Sequence, residues 1–445
     1  MPRAIPLRSG MAVTMLLLAT VAGPCLAQEA PASISREAPA SNPYAADPAA
    51  SPVGILTLRQ ALTLAATTHP RLAGHRFALD AATARQDQAA LRNPFQLGID
   101  VENVGGTGGT RFIGDTEVTL SLGTVLDLED KRGRRMDVAR QERAQILSEQ
   151  DAEKIDILAE VTRRFIDVVV NQELLALARR QEAMAARALD AANTRNRAAK
   201  ALPGEVARAE VSVTQAKLVR LRREQELHSA RLLLAEAWAD RDPRFELAAA
   251  NLLDMPAPLP VSTIQARMER NPDLLRFASE RRALEARTLL AESARTPDLT
   301  VSAGIRRLEG QNGQAFVMSL TMPLGSAARA EPGIREARAA TGLALAREQA
   351  ARTSLYNTLA SLHAGMERAR QALKLLQEEA APKARAAIAA IEDGYRAGRL
   401  SLLELTEANR QLVELEQAMI NEASDYHRLA IEAERLTGQT LAPQD

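Results

Sequence analysis

The sequence predicts a mainly α protein with a small membrane β-barrel, built from a helix–hairpin–helical-hairpin unit used twice. Three observations predict it. The same order of features occurs in both halves: His69-Pro70, Asn93-Pro94, two short alternating stretches and a very long charged helix, then Asn271-Pro272, Thr296-Pro297, two more alternating stretches and another long charged helix. One supersecondary unit used twice accounts for such a repeat, at a period far too long for a solenoid. Residues 131–197 hold no proline and a single glycine, Gly133, enough for about 100 Å of helix. The alternating stretches run about 8 to 10 residues, the length of a tilted strand crossing a bilayer.

Composition narrows the function. Lys and Arg total 56 against 56 Asp and Glu, which leaves no basic footprint for nucleic acid. Aromatic residues make up 3%, with Trp238 the one tryptophan, fewer than a large globular enzyme packs. Abundant Ala, Arg, Glu, Leu and Gln suits long helices packed as coiled coils.

Residues 1–27 read as a secretory signal peptide: Arg3 and Arg8 precede a short apolar core from Met11 to Ala22, and small residues before the cut place cleavage after Ala27. The rival reading makes Cys25 a lipidation site. If the cut follows Ala27, the mature chain has no cysteine, which excludes thiol catalysis and Cys-ligated metal. Residues 28–54, with Pro31, Pro39, Pro43, Pro48 and Pro52, read as a flexible Ala/Pro-rich leader. No later stretch approaches the roughly 20 apolar residues of a spanning helix.

The first repeat covers 55–245. Thr57 caps a helix whose apolar face carries Leu58, Ala61, Leu62 and Ala65. His69-Pro70 interrupts it, and a second helix runs to Asn93-Pro94. The period then changes to two. Leu97, Ile99 and Val101 alternate with Gly98, Asp100 and Glu102; a loop with Gly105, Gly106, Gly108 and Gly109 follows; then Val118, Leu120 and Leu122 alternate with Glu117, Thr119 and Ser121. These are strands at about 96–104 and 116–124. Long helices follow at about 131–198 and 204–240, separated by Pro203-Gly204. A proline-rich linker covers 246–261. The second repeat, 262–440, has strands at about 298–306 and 315–323 and long helices at about 333–396 and 402–437.

Four strands cannot close a barrel, and an open sheet edge in lipid leaves backbone groups unsatisfied. Hairpins in lipid therefore require several chains to share one barrel, since the smallest single-chain barrels have about eight strands. The alternative is a soluble sheet with one buried face. The secretory signal and the long rods favour the membrane, whereas the short supply of ring residues for interface belts, Phe95, Phe112 and Phe316, speaks against it.

In order and spacing, residues 55–440 resemble the TolC-type outer-membrane efflux channels. The first half resembles the subfamily serving cation efflux, that of the cobalt-zinc-cadmium exporters, through Asn93-Pro94, Glu102-Asn103, Gly105-Gly106, Leu126-Asp127-Leu128, Lys131-Arg132 and Arg135. That subfamily usually carries two glycines before the Lys-Arg pair; here they are Glu129-Asp130. The resemblance implies a homotrimer with a 12-stranded barrel in outer-membrane lipid, continued by an α-helical periplasmic tunnel. It also implies two partners, a periplasmic adaptor and an inner-membrane, proton-driven pump of the RND type, and no cofactor or enzymatic activity in this chain. Heavy-metal cations are the expected cargo; drugs or small organic molecules in the same architecture, or a periplasmic coiled-coil scaffold without channel activity, are the alternatives.

Gly394 to Glu407 matches the family's periplasmic turn. There the resemblance implies that Glu404 and Glu407, one helical turn apart, line a constricted mouth, where three copies would attract cations. Glu205 falls opposite Glu404 in the first repeat, and Arg208 opposite Glu407. The turns that would dock the adaptor comprise Lys200, Pro203, Gly204, Tyr395, Gly398, Arg399, Leu400 and Ser401. Solvated surface charge and packed leucines are the plain alternatives. The five histidines, His69, His75, His228, His363 and His427, lack metal-ligand spacing.

Overall fold

The structure, a computed structural model, describes residues 51–104, 116–200 and 203–438, all within one compact unit. The signal peptide, Cys25, most of the leader, the glycine-rich loop and Phe112 lie outside the described residues.

The elements run β1 (Gly54–Thr57), α1 (Leu58–Thr68), α2 (Pro70–Ala90), β2 (Gln96–Glu102), β3 (Glu117–Leu126), α3 (Lys131–Arg197), α4 (Pro203–Ala235), β4 (Phe245–Ala249), α5 (Val261–Ala266), α6 (Pro272–Ser293), β5 (Leu299–Leu308), β6 (Gly313–Thr321), α7 (Ser326–Leu375), α8 (Ala381–Arg396) and α9 (Leu402–Thr437). Local chemistry sets the helix starts. Thr57 and Gln60 form a capping box at α1, and Ser401 and Glu404 form another at α9. His69 and Asn271 hold equivalent places in the two repeats: each caps a helix with proline in its first turn, His69 through Nδ1 to the Arg71 N–H and Asn271 through Oδ1 to the Leu274 N–H.

Helix α3 is the spine. It packs against α1, α2, α4, α6 and α9, while α7 packs against α6 and α9, and α8 against α9. The main core gathers Ile157, Val161, Phe165 and Val169 of α3 with Leu234 and Trp238 near the end of α4. A second core joins Leu355, Leu359, Met366 and Ala369 of α7 to Tyr426 and Leu436 of α9.

Three features differ from the reading of the sequence. First, the end of the leader is built in. Strand β1 pairs in parallel with β4, inside the stretch read as linker, and buries Leu56 against Phe245 and Ala248. Ser51 is buried too: its backbone N–H donates to Asp240 Oδ2 at 2.8 Å, and its hydroxyl accepts from Trp238 Nε1 at 3.0 Å. Second, α7 starts at Ser326 and carries Pro332 near its beginning, where a missing N–H costs one ladder bond. Third, the helix ahead of Pro382 widens into a π turn, Leu376–Ala380, before α8 begins. Above the turn the inward positions Leu355, Leu359, Leu362, Met366, Ala369 and Leu373 step by four and three; below it Ala381, Ala384, Ile388, Ile391 and Tyr395 do the same. Between Leu373 and Ala381 the step is one residue longer than a heptad, and the wide turn absorbs the surplus.

Candidate conduit and its two ends

The four-stranded sheet has the order β2-β3-β5-β6, all antiparallel, so β2 and β6 are open edges. Alternation sorts its faces. Ile99, Leu120, Ile305 and Phe316 stand side by side on one face, each more than half exposed (66%, 52%, 58% and 70%). The next row is Leu97, Leu122, Ala303 and Met318. A soluble sheet would bury one face, and among the described residues no helix covers this one. The apolar rows run from Val118 to Leu126 along β3, about 27 Å of strand and about 20 Å once tilted as in a barrel, close to the apolar band of outer-membrane barrels. The opposite face is polar or small: Asp100, Thr119 and Arg306 in one row, Gly98, Ser121, Gly304 and Val317 in the next. Arg306 bridges strands there, 2.8 Å from both Glu102 and Glu117 and 2.9 Å from Thr119 Oγ1. Gly304 is required by close approach: a Cβ would lie 2.5 Å from the Leu120 carbonyl oxygen and 2.9 Å from Ser121 Cα.

Polar contacts lock the sheet to the helices. Asn93 donates to the Val125 carbonyl (2.9 Å) and to Asp127 (2.7 Å), and Asp127 pairs with Arg135 at 2.8 Å. Arg132 Nε donates to the Ala90 carbonyl at 2.8 Å. Glu129 and Asp130 take positive φ, 62° and 51°, the backbone that glycine favours. The conformation is thus kept without the glycines, and Asp130 uses its side chain to cap α3 at the Gly133 N–H.

At the other end, residues 198–200 after α3 lie near the loop Ala397–Ser401 between α8 and α9, with Arg195 reaching both the Lys200 and Tyr395 carbonyls. Glu205, Arg208, Ser401, Leu402, Leu403 and Thr406 line one groove of about 500 Å³. Glu404 is exposed and turned back on its helix start, accepting from the Ser401 N–H (2.7 Å) and hydroxyl (2.8 Å), which hold its carboxyl below the ordinary glutamate range. Glu407 pairs with Arg410 at 2.5 Å, which likewise lowers its carboxyl; Arg410 also reaches Glu414. Glu404 and Glu407 are therefore engaged locally, one by a cap and one by a cation. Lys200, Gly204, Gly398, Arg399 and Ser401 are exposed at the turns, and Leu400 is half-buried against Gly394. Pro203 opens α4. Neither Lys200 nor Arg399 makes an ion pair among the described residues.

Tyr395 departs from the expected docking surface. It is 1% exposed, packed with Ala188, Ala192, Ala209, Leu402 and Leu405, so it supports the tip from within. Burial, followed by the facing Glu205 carboxylate, raises its phenol above the ordinary value. Sequence reasoning missed its neighbour Arg195. The only sequence signal was a cation in the last turn of α3, where helix carbonyls lack partners. Among the described residues no three His, Cys, Asp or Glu side chains converge as a metal site, and no helix is long and apolar enough to cross a membrane.

Two helical hairpins extend from an amphipathic sheet whose outer strands β2 and β6 are edges among the described residues. Residues 263–439 match the outer membrane efflux protein family. The chain is 27% identical over 387 residues to the cobalt-zinc-cadmium resistance protein CzcC of Cupriavidus metallidurans, covering 87% of this chain and 91% of that one. Its fold is similar to that of CusC (TM-score 0.72, 14% identity, 86% of this chain and 92% of that one) and of the outer membrane protein VceC of Vibrio cholerae (TM-score 0.67, 16%, 86% and 97%). Residues 263–439 thus carry the efflux-protein match, and the chain as a whole has the fold of the TolC-type outer-membrane channels.

Proposed function

We propose that the chain is the exit duct of a tripartite exporter of heavy-metal cations, working as a homotrimer whose three sheets close one 12-stranded barrel. The open edges carry this reading: β2 and β6 present unpaired backbone beside an exposed apolar face, and lipid tolerates no such edge. Two copies would make eight strands, whose interior is filled by side chains, so a conduit needs at least three. The exporter's other parts are a periplasmic adaptor seated on the turns around Lys200, Gly204, Gly398, Arg399, Leu400 and Ser401, and a proton-driven inner-membrane pump that supplies the energy. Glu205, Glu404 and Glu407 form the periplasmic gate and favour cations. The cation cargo rests on the likeness to a cobalt-zinc-cadmium resistance protein. Export uses residues 1–27 as the secretory signal.

The test combines assembly and resistance. Detergent-extracted protein should be trimeric and conduct in planar bilayers, and a deletion strain should become sensitive to cobalt, zinc or cadmium. A monomer, soluble without detergent and unable to conduct, would overturn the duct. A strain sensitised to antibiotics but not to metals would overturn the cation cargo and leave the duct.

A further inference from the structure

The hairpin of β5 and β6 turns at the end of the sheet away from the helices, since α6 leads into β5 and α7 follows β6. A short turn, Glu309–Gln311, closes at Asn312, whose N–H donates to the Glu309 carbonyl at 3.3 Å. Asn312 takes φ 49°, the left-handed region that asparagine enters more readily than most residues. It is exposed, and among the described residues its side-chain amide makes no hydrogen bond. Gly313 follows, with no Cβ to shield its backbone nitrogen; a Cβ there would meet nothing nearer than the Gln311 carbonyl oxygen at 3.8 Å. Asn103 supplies the comparison within the same sheet. It follows β2 at the same end and also has positive φ, 60°. Its amide donates to Glu117 Oε1 at 3.3 Å, and the next residue is Val104, whose branched side chain crowds the backbone. Two asparagines of similar backbone thus differ in what holds the amide and in what stands beside it.

We propose that Asn312 is a modification site, at which the folded chain loses the side-chain amide without an enzyme. The Gly313 nitrogen gives its proton to solvent base and attacks Asn312 Cγ. The N–Cγ bond forms, the Cγ–Nδ2 bond breaks, and the amide leaves as ammonia after taking a proton from water. The cyclic imide then adds one water. Opening at the side-chain carbonyl gives aspartate, opening at the main-chain carbonyl gives isoaspartate, and no electrons change hands. Nucleophile and carbonyl sit on adjacent residues, so the attack is intramolecular and runs at a high effective concentration. Either product is ionised at neutral pH. Arg307 and Glu309 at the same tip already pair at 2.6 Å, so the new carboxylate gains no cation from them. In the trimeric duct proposed above, three such carboxylates ring the outer exit and draw cations; this consequence rests on that reading, whereas the chemistry does not.

The test ages the full-length, detergent-extracted protein in mildly alkaline buffer. Trypsin then releases residues 308–329, which hold Asn312, and 93–111, which hold Asn103. Mass spectrometry with fragmentation locates each amide lost. Asn312 should convert about tenfold faster than Asn103, to a mixture of aspartate and isoaspartate. Gly313→Ala, which the open space admits, should slow the loss to a similar degree. Loss at Asn312 no faster than at Asn103, aspartate without isoaspartate, or an unchanged rate in Gly313→Ala overturns the site. Asn312→Asp should raise cation preference in planar bilayers. An unaltered preference overturns the charge effect at the exit and leaves the modification standing.

Discussion

Lys131 and Asp298 belong to different repeats, yet Lys131 Nζ lies 2.7 Å from Asp298 Oδ1, and the same ammonium donates to the Thr296 carbonyl at 2.6 Å. Lys131 opens α3 and Asp298 precedes β5, so one largely buried cation fastens the bases of both hairpins. Lys131→Met is expected to destabilise the fold by about 1–3 kcal/mol, since it leaves a carboxylate and a carbonyl unmet. Thermal unfolding in detergent checks this. The exchange Lys131→Asp with Asp298→Lys should recover only part of the loss, because Thr296 stays without its donor.

The two faces of the sheet should respond oppositely to charge. Leu120→Arg places a cation in the middle of the apolar band and should cost about 2–4 kcal/mol. Ser319→Lys, on the polar face, should insert nearly as well as the parent. Heat-modifiable mobility of the folded barrel distinguishes them, and equal insertion of both would contradict the assignment of faces.

Cation selectivity should follow Glu404 and Glu407, the acids of the proposed gate. Glu404→Gln with Glu407→Gln is expected to lower cation preference, read as a smaller reversal potential across a salt gradient. Glutamine suits position 404 because it keeps the capping box with Ser401, which alanine would remove. Unchanged selectivity would remove both residues from the gate.

Acid should loosen the strap formed by residues 252–258. His427 Nε2 lies 2.8 Å from the Leu252 carbonyl, and burial lowers its pKa below the ordinary 6.5. The unfolded chain therefore binds the proton first, and stability declines as pH falls from about 6.5 toward the lower folded value. His427→Gln should abolish that decline. Hydrogen exchange of the 252–258 amides at pH 5 and pH 7.5 measures it.

What could be read beforehand was local. The Thr57 cap of α1, the proline-marked breaks ahead of α2 and α6, and the alternation around Leu120 and Ile305 each depend on residues a few positions apart; the Ser401/Glu404 capping box was equally local but was passed over for a gate reading of Glu404. What escaped was distant. Ser51 meets Asp240 and Trp238 across 189 and 187 positions, and no periodicity in a proline-rich leader announces that meeting. Arg195 was equally silent, since its acceptors at 395 and 400 belong to the other repeat. Tyr395 was legible as part of a turn motif, but its burial depends on alanines from α3 and α4.

The surplus residue ahead of Pro382 reaches beyond its own turn. Each added residue swings the downstream part of a helix by about 100° around its axis. The angular setting of the turn that carries Tyr395 and Arg399 is thus decided roughly four helical turns away. Shortening the 376–380 stretch by one residue would point that turn at a different neighbour, with every amino acid in it unchanged.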